Sequence, residues 1–101
     1  VNINEIPLSA DNQAFRVMLG NNNYMLKVIW RDDAGWIMDV MDNGAQPVLM
    51  GVPLLPDTDL LEQYPELGIS GAFIVITDNG APEYPTKINL GVESHLYFIQ
   101  V

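Results

Sequence analysis

The sequence predicts an all-β domain, a small barrel or sandwich of about six or seven mostly antiparallel strands with one short helix. Three observations carry this expectation. Apolar and polar residues alternate with a period of two through most of the chain, the pattern of half-buried strands. Clusters of Gly, Asn and Asp punctuate these runs at hairpin spacing. Only between Gly51 and Gly68 does the apolar spacing become helical.

Asn2 to Leu8 reads as a short first strand at a sheet edge, because Pro7 lacks the amide hydrogen that a ladder uses. Ser9 to Asn12 turns the chain. From Ala14 to Leu19, Phe15, Val17 and Leu19 share one face and Arg16 and Met18 the other. Gly20-Asn21-Asn22 supplies a tight hairpin, since Gly and Asn accept positive φ. In the next run, Tyr24, Leu26, Val28 and Trp30 face inward, while Met25, Lys27, Ile29 and Arg31 face outward. Asp32-Asp33-Ala34-Gly35 turns again, and Trp36, Met38 and Val40 continue the inward face opposite Ile37, Asp39 and Met41. Asn43-Gly44 is a strong hairpin signal, and Val48-Leu49-Met50 leads onward.

The stretch GVPLLPDTDLLEQYPELG, Gly51 to Gly68, organises the rest. Pro53 and Pro56 stop a strand. Thr58 or Asp59 can cap a helix, with Asp59 and Glu62 at partial capping-box spacing. Leu60, Leu61, Tyr64 and Leu67 then share a face, giving a short helix over Asp59 to Leu67 that Pro65 shortens or breaks and Gly68 ends. Gly68 to Gly71 is a re-entry loop. Ala72 to Ile76 is apolar on both faces, as in a central strand or one covered by a partner. Asp-Asn-Gly-Ala recurs at Asp78 to Ala81, repeated turn chemistry without matching flanks. Pro82 to Gly91 is a loop, and His95 to Val101 closes the chain as a strand with Leu96 and Phe98 on one side. The expected core is Phe15, Val17, Leu26, Val28, Trp30, Trp36, Met38, Val40, Leu61, Phe73, Val75 and Phe98.

A chain of 101 residues is expected to form one domain, 1–101, with a core of its own. It contains no cysteine, so neither disulfides nor thiolate metal sites are available. Thirteen acids against four bases give a net charge of −9, which repels phosphate backbones and anionic lipid, so neither nucleic acid nor membrane is an expected partner. The acids are scattered, unlike the dense carboxylate rows of a DNA mimic. No apolar run approaches the ~18 residues of a membrane span, and VNINEIPLS has no export-signal pattern. Charged residues make up 17% and hydrophobic ones 49% of a chain with a large surface for its size, which points to contact with other subunits.

Candidate chemistry is sparse. His95 opens an apolar strand with no cysteine to activate, which favours a structural role. Asp57-Thr58-Asp59 lacks the glycine of an aspartic-protease turn, and an EF-hand frame from Asp57 places Glu62 and Gly68 where glycine and a bidentate acid are required. Gly68 to Gly71 lacks the lysine and spacing of a phosphate loop. Asp57, Asp59 and Glu62 are the clustered acids that a glycan-cleaving enzyme would use. Trp30, Trp36, Tyr24 and Tyr97 are candidates for a sugar-binding platform, although the period-two placement of the first three fits core packing. These residues support no catalytic site, metal site or cofactor. The alternative to an assembly protein is a free-standing carbohydrate- or ligand-binding module.

Four blocks together, IPLSADNQAFRVMLG, WRDDAGWIMDVMDNGAQPVL, MGVPLLPDTDLLEQYPELG and GAFIVITDNG, resemble the baseplate plug proteins of contractile-tailed bacteriophages, cyanophage plugs among them. The order of blocks matches from residue 6 to about residue 98. A Trp-x-Leu-Asp-like segment appears as Trp36 to Asp39, a Gly-Val-Pro-Leu join as Gly51 to Leu54, and an Asp-Leu-Leu motif as Asp59 to Leu61. The resemblance implies a non-enzymatic virion protein, made in the host cytoplasm and packed into the central hub of a tail baseplate. It also implies several symmetry-related copies and contacts with hub, spike, tube or wedge proteins. None of these motifs carries a known contact residue.

The outward apolar side chains indicate where such contact is expected. Met25 and Ile29 alternate with Lys27 and Arg31, Ile37 and Met41 with Asp39, and Ile74 and Ile76 leave their strand without a polar face. These six are the expected partner-contact residues. As a second core layer of a sandwich they would instead be buried on folding.

Overall fold

Hairpin register, set locally by each turn, builds most of the observed architecture. The computed structural model describes residues 2–69 and 71–100. Its strands are β1 (Asn2–Ile6), β2 (Gln13–Leu19), β3 (Asn22–Arg31), β4 (Gly35–Asp42), β5 (Pro47–Pro53), β6 (Ala72–Thr77) and β7 (Ser94–Gln100). Val101, expected in the last strand, and Ser70, in the re-entry loop, lie outside the described residues. β2-β3-β4-β5 is a four-stranded antiparallel meander, and β1-β7-β6 is a three-stranded antiparallel sheet. The sheets do not close on each other, so of the two expected architectures the sandwich is the one formed.

Turn chemistry explains the meander. Gly20 has φ +66° at the first position of a two-residue turn joining Leu19 to Asn22. Gly35 has φ +77° after a three-residue turn in which Ala34 N–H donates to Arg31 O at 2.7 Å. At the third turn the expected Asn43-Gly44 hairpin gives way to a longer loop. Asp42 Oδ1 accepts from the N–H groups of Gly44 and Gln46, both at 2.9 Å, and the positive φ, +63°, falls on Ala45. β5 is bulged: Gly51, at φ +73°, donates its N–H to Asp39 Oδ1 at 2.7 Å.

The stretch Gly51 to Gly68 joins the two sheets, but it does not form the expected helix over Asp59 to Leu67. Leu54 N–H donates to Trp36 O at 3.0 Å, continuing β5 along β4. Asp57 N–H then donates to Val75 O at 3.0 Å and Leu60 N–H to Phe73 O at 2.9 Å, covering the outer edge of β6. Those amides therefore serve a sheet edge rather than a helix start. Downstream, the i to i+3 bonds Glu62 N–H to Asp59 O and Tyr64 N–H to Leu61 O make tight turns, and Pro65–Leu67 forms a single 3₁₀ turn closed by Gly68 at φ +73°. Asp59 still caps, its Oδ1 accepting from Leu61 N–H at 2.9 Å. β6 ends its sheet, so the both-faces-apolar strand is not central; β7 is.

Nine of the expected core residues are buried: Leu26, Val28, Trp36, Met38, Val40, Leu61, Phe73, Val75 and Phe98. Phe15, Val17 and Trp30 are only half-buried against that cluster. Trp30 lies beyond the start of β2, where Asn12 Oδ1 takes the place of a strand partner and accepts its N–H at 2.8 Å. Ile6, Val52, Leu54 and Leu90 join the core from edges and connections. Beyond β6 the chain runs sixteen residues, 78–93, before β7. Asn89 organises this connection: its Oδ1 accepts from Thr86 N–H at 2.6 Å, and its carbonyl accepts from Val92, Glu93 and Ser94.

Candidate assembly surface

The outer face of the meander is built from cross-strand pairs. Met25 on β3 sits directly opposite Met41 on β4, Lys27 opposite Asp39, and Ile29 opposite Ile37. β5 adds Pro47 beside Met41 and Pro53 beside Ile37. All four of Met25, Met41, Ile29 and Ile37 are half-buried and outside the core cluster, because facing pairs on a pleated sheet shield each other. Arg16 on β2, opposite Met25, reaches over β3 so that Nη1 donates to Asn43 Oδ1 at 2.6 Å.

Ile74 and Ile76 lie elsewhere, on the outer face of the three-stranded sheet opposite Tyr97 and His95. Ile74 is half-buried and Ile76 is 45% exposed. The fold thus brings four of the six expected contact residues together and puts the other two on the opposite side of the sandwich. Ile3, 62% exposed and paired with Ile99, extends this second face.

Sequence reasoning did not identify the connection 78–93 as a surface. Ile88 is 81% exposed, Val92 65% and Tyr84 58%, more than any of the six strand residues. The loop is nevertheless pinned: Trp36 Nε1–H donates to Thr86 O at 2.8 Å, Thr77 Oγ1–H to Glu83 O at 2.9 Å, and Asp78 N–H to Glu93 O at 2.7 Å. No periodicity marks these apolar residues in the sequence. The length of the connection is the signal that was available.

The candidate chemical groups are committed to structure or stand apart. Both nitrogens of His95 face carboxylates, Nδ1 at 2.8 Å from Glu5 Oε2 and Nε2 at 3.3 Å from Asp78 Oδ1. The hydrogen bond to Glu5 raises its pKa above 6.5; burial opposes the shift and Asp78 adds to it. The ring therefore ties β1 and the 78–93 connection to β7. Asp59 is engaged as a cap, while Asp57, at φ +59°, and Glu62 are exposed. Among the described residues no group of three His, Cys, Asp or Glu could hold a metal ion. Tyr24 and Trp36 are buried, Trp30 packs edge-to-face on Trp36 at 5.3 Å, and Tyr97 lies on the other sheet, so the four aromatics form no common platform.

No helix among the described residues is long and apolar enough to cross a membrane. What the surface offers is apolar contact area on a pinned scaffold. No curated protein matches the chain. The family model described as cyanophage baseplate Pam3 plug gp18 matches residues 3–101, which take in both sheets except Asn2 at the start of β1. This is a family of baseplate plugs, structural parts of a phage virion, and the chain belongs to it.

Proposed function

We propose that this protein occupies the central hub of a contractile-tail baseplate and acts there by protein–protein packing, without catalysis. Family membership across both sheets is the observation that carries this reading. Its partners are other baseplate proteins of the hub, spike, tube or wedge, it is present in several symmetry-related copies, and it is made in the host cytoplasm before incorporation into the virion. Met25, Ile29, Ile37 and Met41 supply one contact face and Ile74 and Ile76 a second. Their side chains are outside the core, so covering them removes apolar area from water at about 25 cal/mol per Å2, set against the entropy of association.

The test is a double substitution, Ile37→Ser with Met41→Ser. The melting temperature of the isolated chain should stay within a few degrees while incorporation into particles is lost. A large fall in melting temperature would assign this face to the protein's own core. Separately, Asp57→Asn, Asp59→Asn and Glu62→Gln should change no glycan- or peptidoglycan-cleaving activity of assembled particles. Loss of such activity with the fold intact would make the protein an enzyme.

A further inference from the structure

The sandwich is bridged on one flank and open on the other. Leu54 to Leu60 hydrogen-bonds to β4 and to β6, spanning the β5 and β6 margins of the two sheets. The opposite flank is formed by the edges of β1 and β2. There Asn2, Ile3, Asn4 and Glu5 are exposed on both faces of β1, and the inward Phe15 and Val17 of β2 are only half-buried. β1 is short and runs into Pro7, which limits further pairing.

β2 carries none of those protections. It has seven residues, no proline, no bulge and an unbroken register with β3. Its hydrogen-bonding phase is fixed. The two-residue turn makes Leu19 and Asn22 a bonded pair, and the Trp30 N–H directed at Asn12 places alternate residues of β3 in the same phase. Gln13, Phe15, Val17 and Leu19 therefore bond to β3, and Ala14, Arg16 and Met18 turn their N–H and C=O groups to the open side. Among the described residues nothing hydrogen-bonds to those groups, and all three residues are exposed, Met18 at 62%.

We propose that β2 pairs antiparallel with β2 of a second copy about a two-fold axis at Val17, joining two meanders into one eight-stranded sheet. Charge favours a second copy at this place and at few others. The whole chain carries −9, whereas residues 13–19 contain one arginine and no acid, so two copies meet at their least acidic edge strand. The register follows from that arginine. An axis at Arg16 would oppose two guanidinium groups, but an axis at Val17 sets Arg16 against Met18 of the second copy on the outer face. On the inner face it sets Phe15 against Leu19 and Val17 against Val17, covering the two half-buried side chains. The contact is isologous and closes at two copies, because Asp57 and Leu60 cover the edge of β6, and the β5 edge is interrupted by the bulge at Gly51 and by Pro47 and Pro53. It supplies a like-copy contact for the assembly reading and rests on that reading only for the expectation of several copies. The purified chain tests it, whereas particle incorporation tests the other.

The chain lacks cysteine, so a single introduced thiol is a clean probe. In the proposed register the two Val17 residues form a non-bonded pair with Cα atoms about 4.5 Å apart, within disulfide reach. Val17→Cys should form an oxidised dimer, and Phe15→Cys should not. Light scattering on the unmodified chain should give twice 11.2 kDa, falling to 11.2 kDa on dilution. Met18→Pro removes an outward N–H while leaving every β2–β3 bond, so it should abolish the dimer and keep the fold. A monomer at every concentration, equal cross-linking of Phe15→Cys, or a persistent dimer in folded Met18→Pro would overturn the proposal.

Discussion

A Cβ added to Gly91 would lie 1.9 Å from the carbonyl oxygen of Leu8, where the end of the 78–93 connection packs on the β1–β2 connection. Gly91 also has φ +80°, and its N–H donates to Ser94 O at 2.7 Å. Gly91→Ala must therefore move backbone as well as strain it. The expected loss is at least about 3 kcal/mol, a fall in melting temperature of more than ~10 °C by calorimetry.

His95 gives stability a pH dependence of definite sign. Its folded pKa is raised above 6.5 by the Glu5 hydrogen bond, with burial opposing and Asp78 reinforcing; Tyr97 is the other titratable neighbour. The proton is held more tightly folded than unfolded, so this contribution is complete below pH 6.5 and is lost as pH rises through the raised value. Urea titrations on either side of that window should show the unmodified chain losing stability with rising pH and His95→Gln losing less.

Ala45 holds a left-handed φ of +63° that glycine adopts freely. Ala45→Gly relieves roughly 1–2 kcal/mol of strain and adds about 0.4–1 kcal/mol of unfolded-state entropy, so a rise of a few degrees in melting temperature is expected. Asp42→Ala removes both side-chain bonds to this turn and should lower it.

Trp36 links the core to the 78–93 connection through its 2.8 Å bond to Thr86 O. Trp36→Phe keeps an aromatic ring but leaves that carbonyl unpaired and a small void, costing about 2 kcal/mol. Amide hydrogen exchange should quicken in 83–90 more than in the meander.

Period-two alternation made the strands and most of their inward faces legible, because side-chain direction in a strand follows from sequence position alone. Hairpin turns then brought Met25 to Met41 and Ile29 to Ile37, so the local half of the candidate surface could be read from the sequence. What required the folded chain was competition between distant segments. Leu60 gives its N–H to Phe73 rather than to a helix, and Ile74 and Ile76 belong to the other sheet. Identical Asp-Asn-Gly-Ala segments show the same limit. Both close with an Ala N–H to Asp carbonyl bond, yet positive φ falls on Ala45 in one and on Gly80 in the other.

The pairing of Asn2–Ile6 with Leu96–Gln100 dictates an order of events during synthesis. β2 to β5 are contiguous neighbours, and their ladder can close while later residues are still being added. β1 is made before the other six strands but has to wait for β7, which follows all of them. Until then the β1 backbone is unpaired, and the apolar inner face of the meander has no more than the Leu54–Leu60 segment and β6 against it. A nascent chain halted before Ser94 therefore cannot complete the three-stranded sheet, and the apolar side chains that Leu96 and Phe98 cover in the finished fold stay exposed.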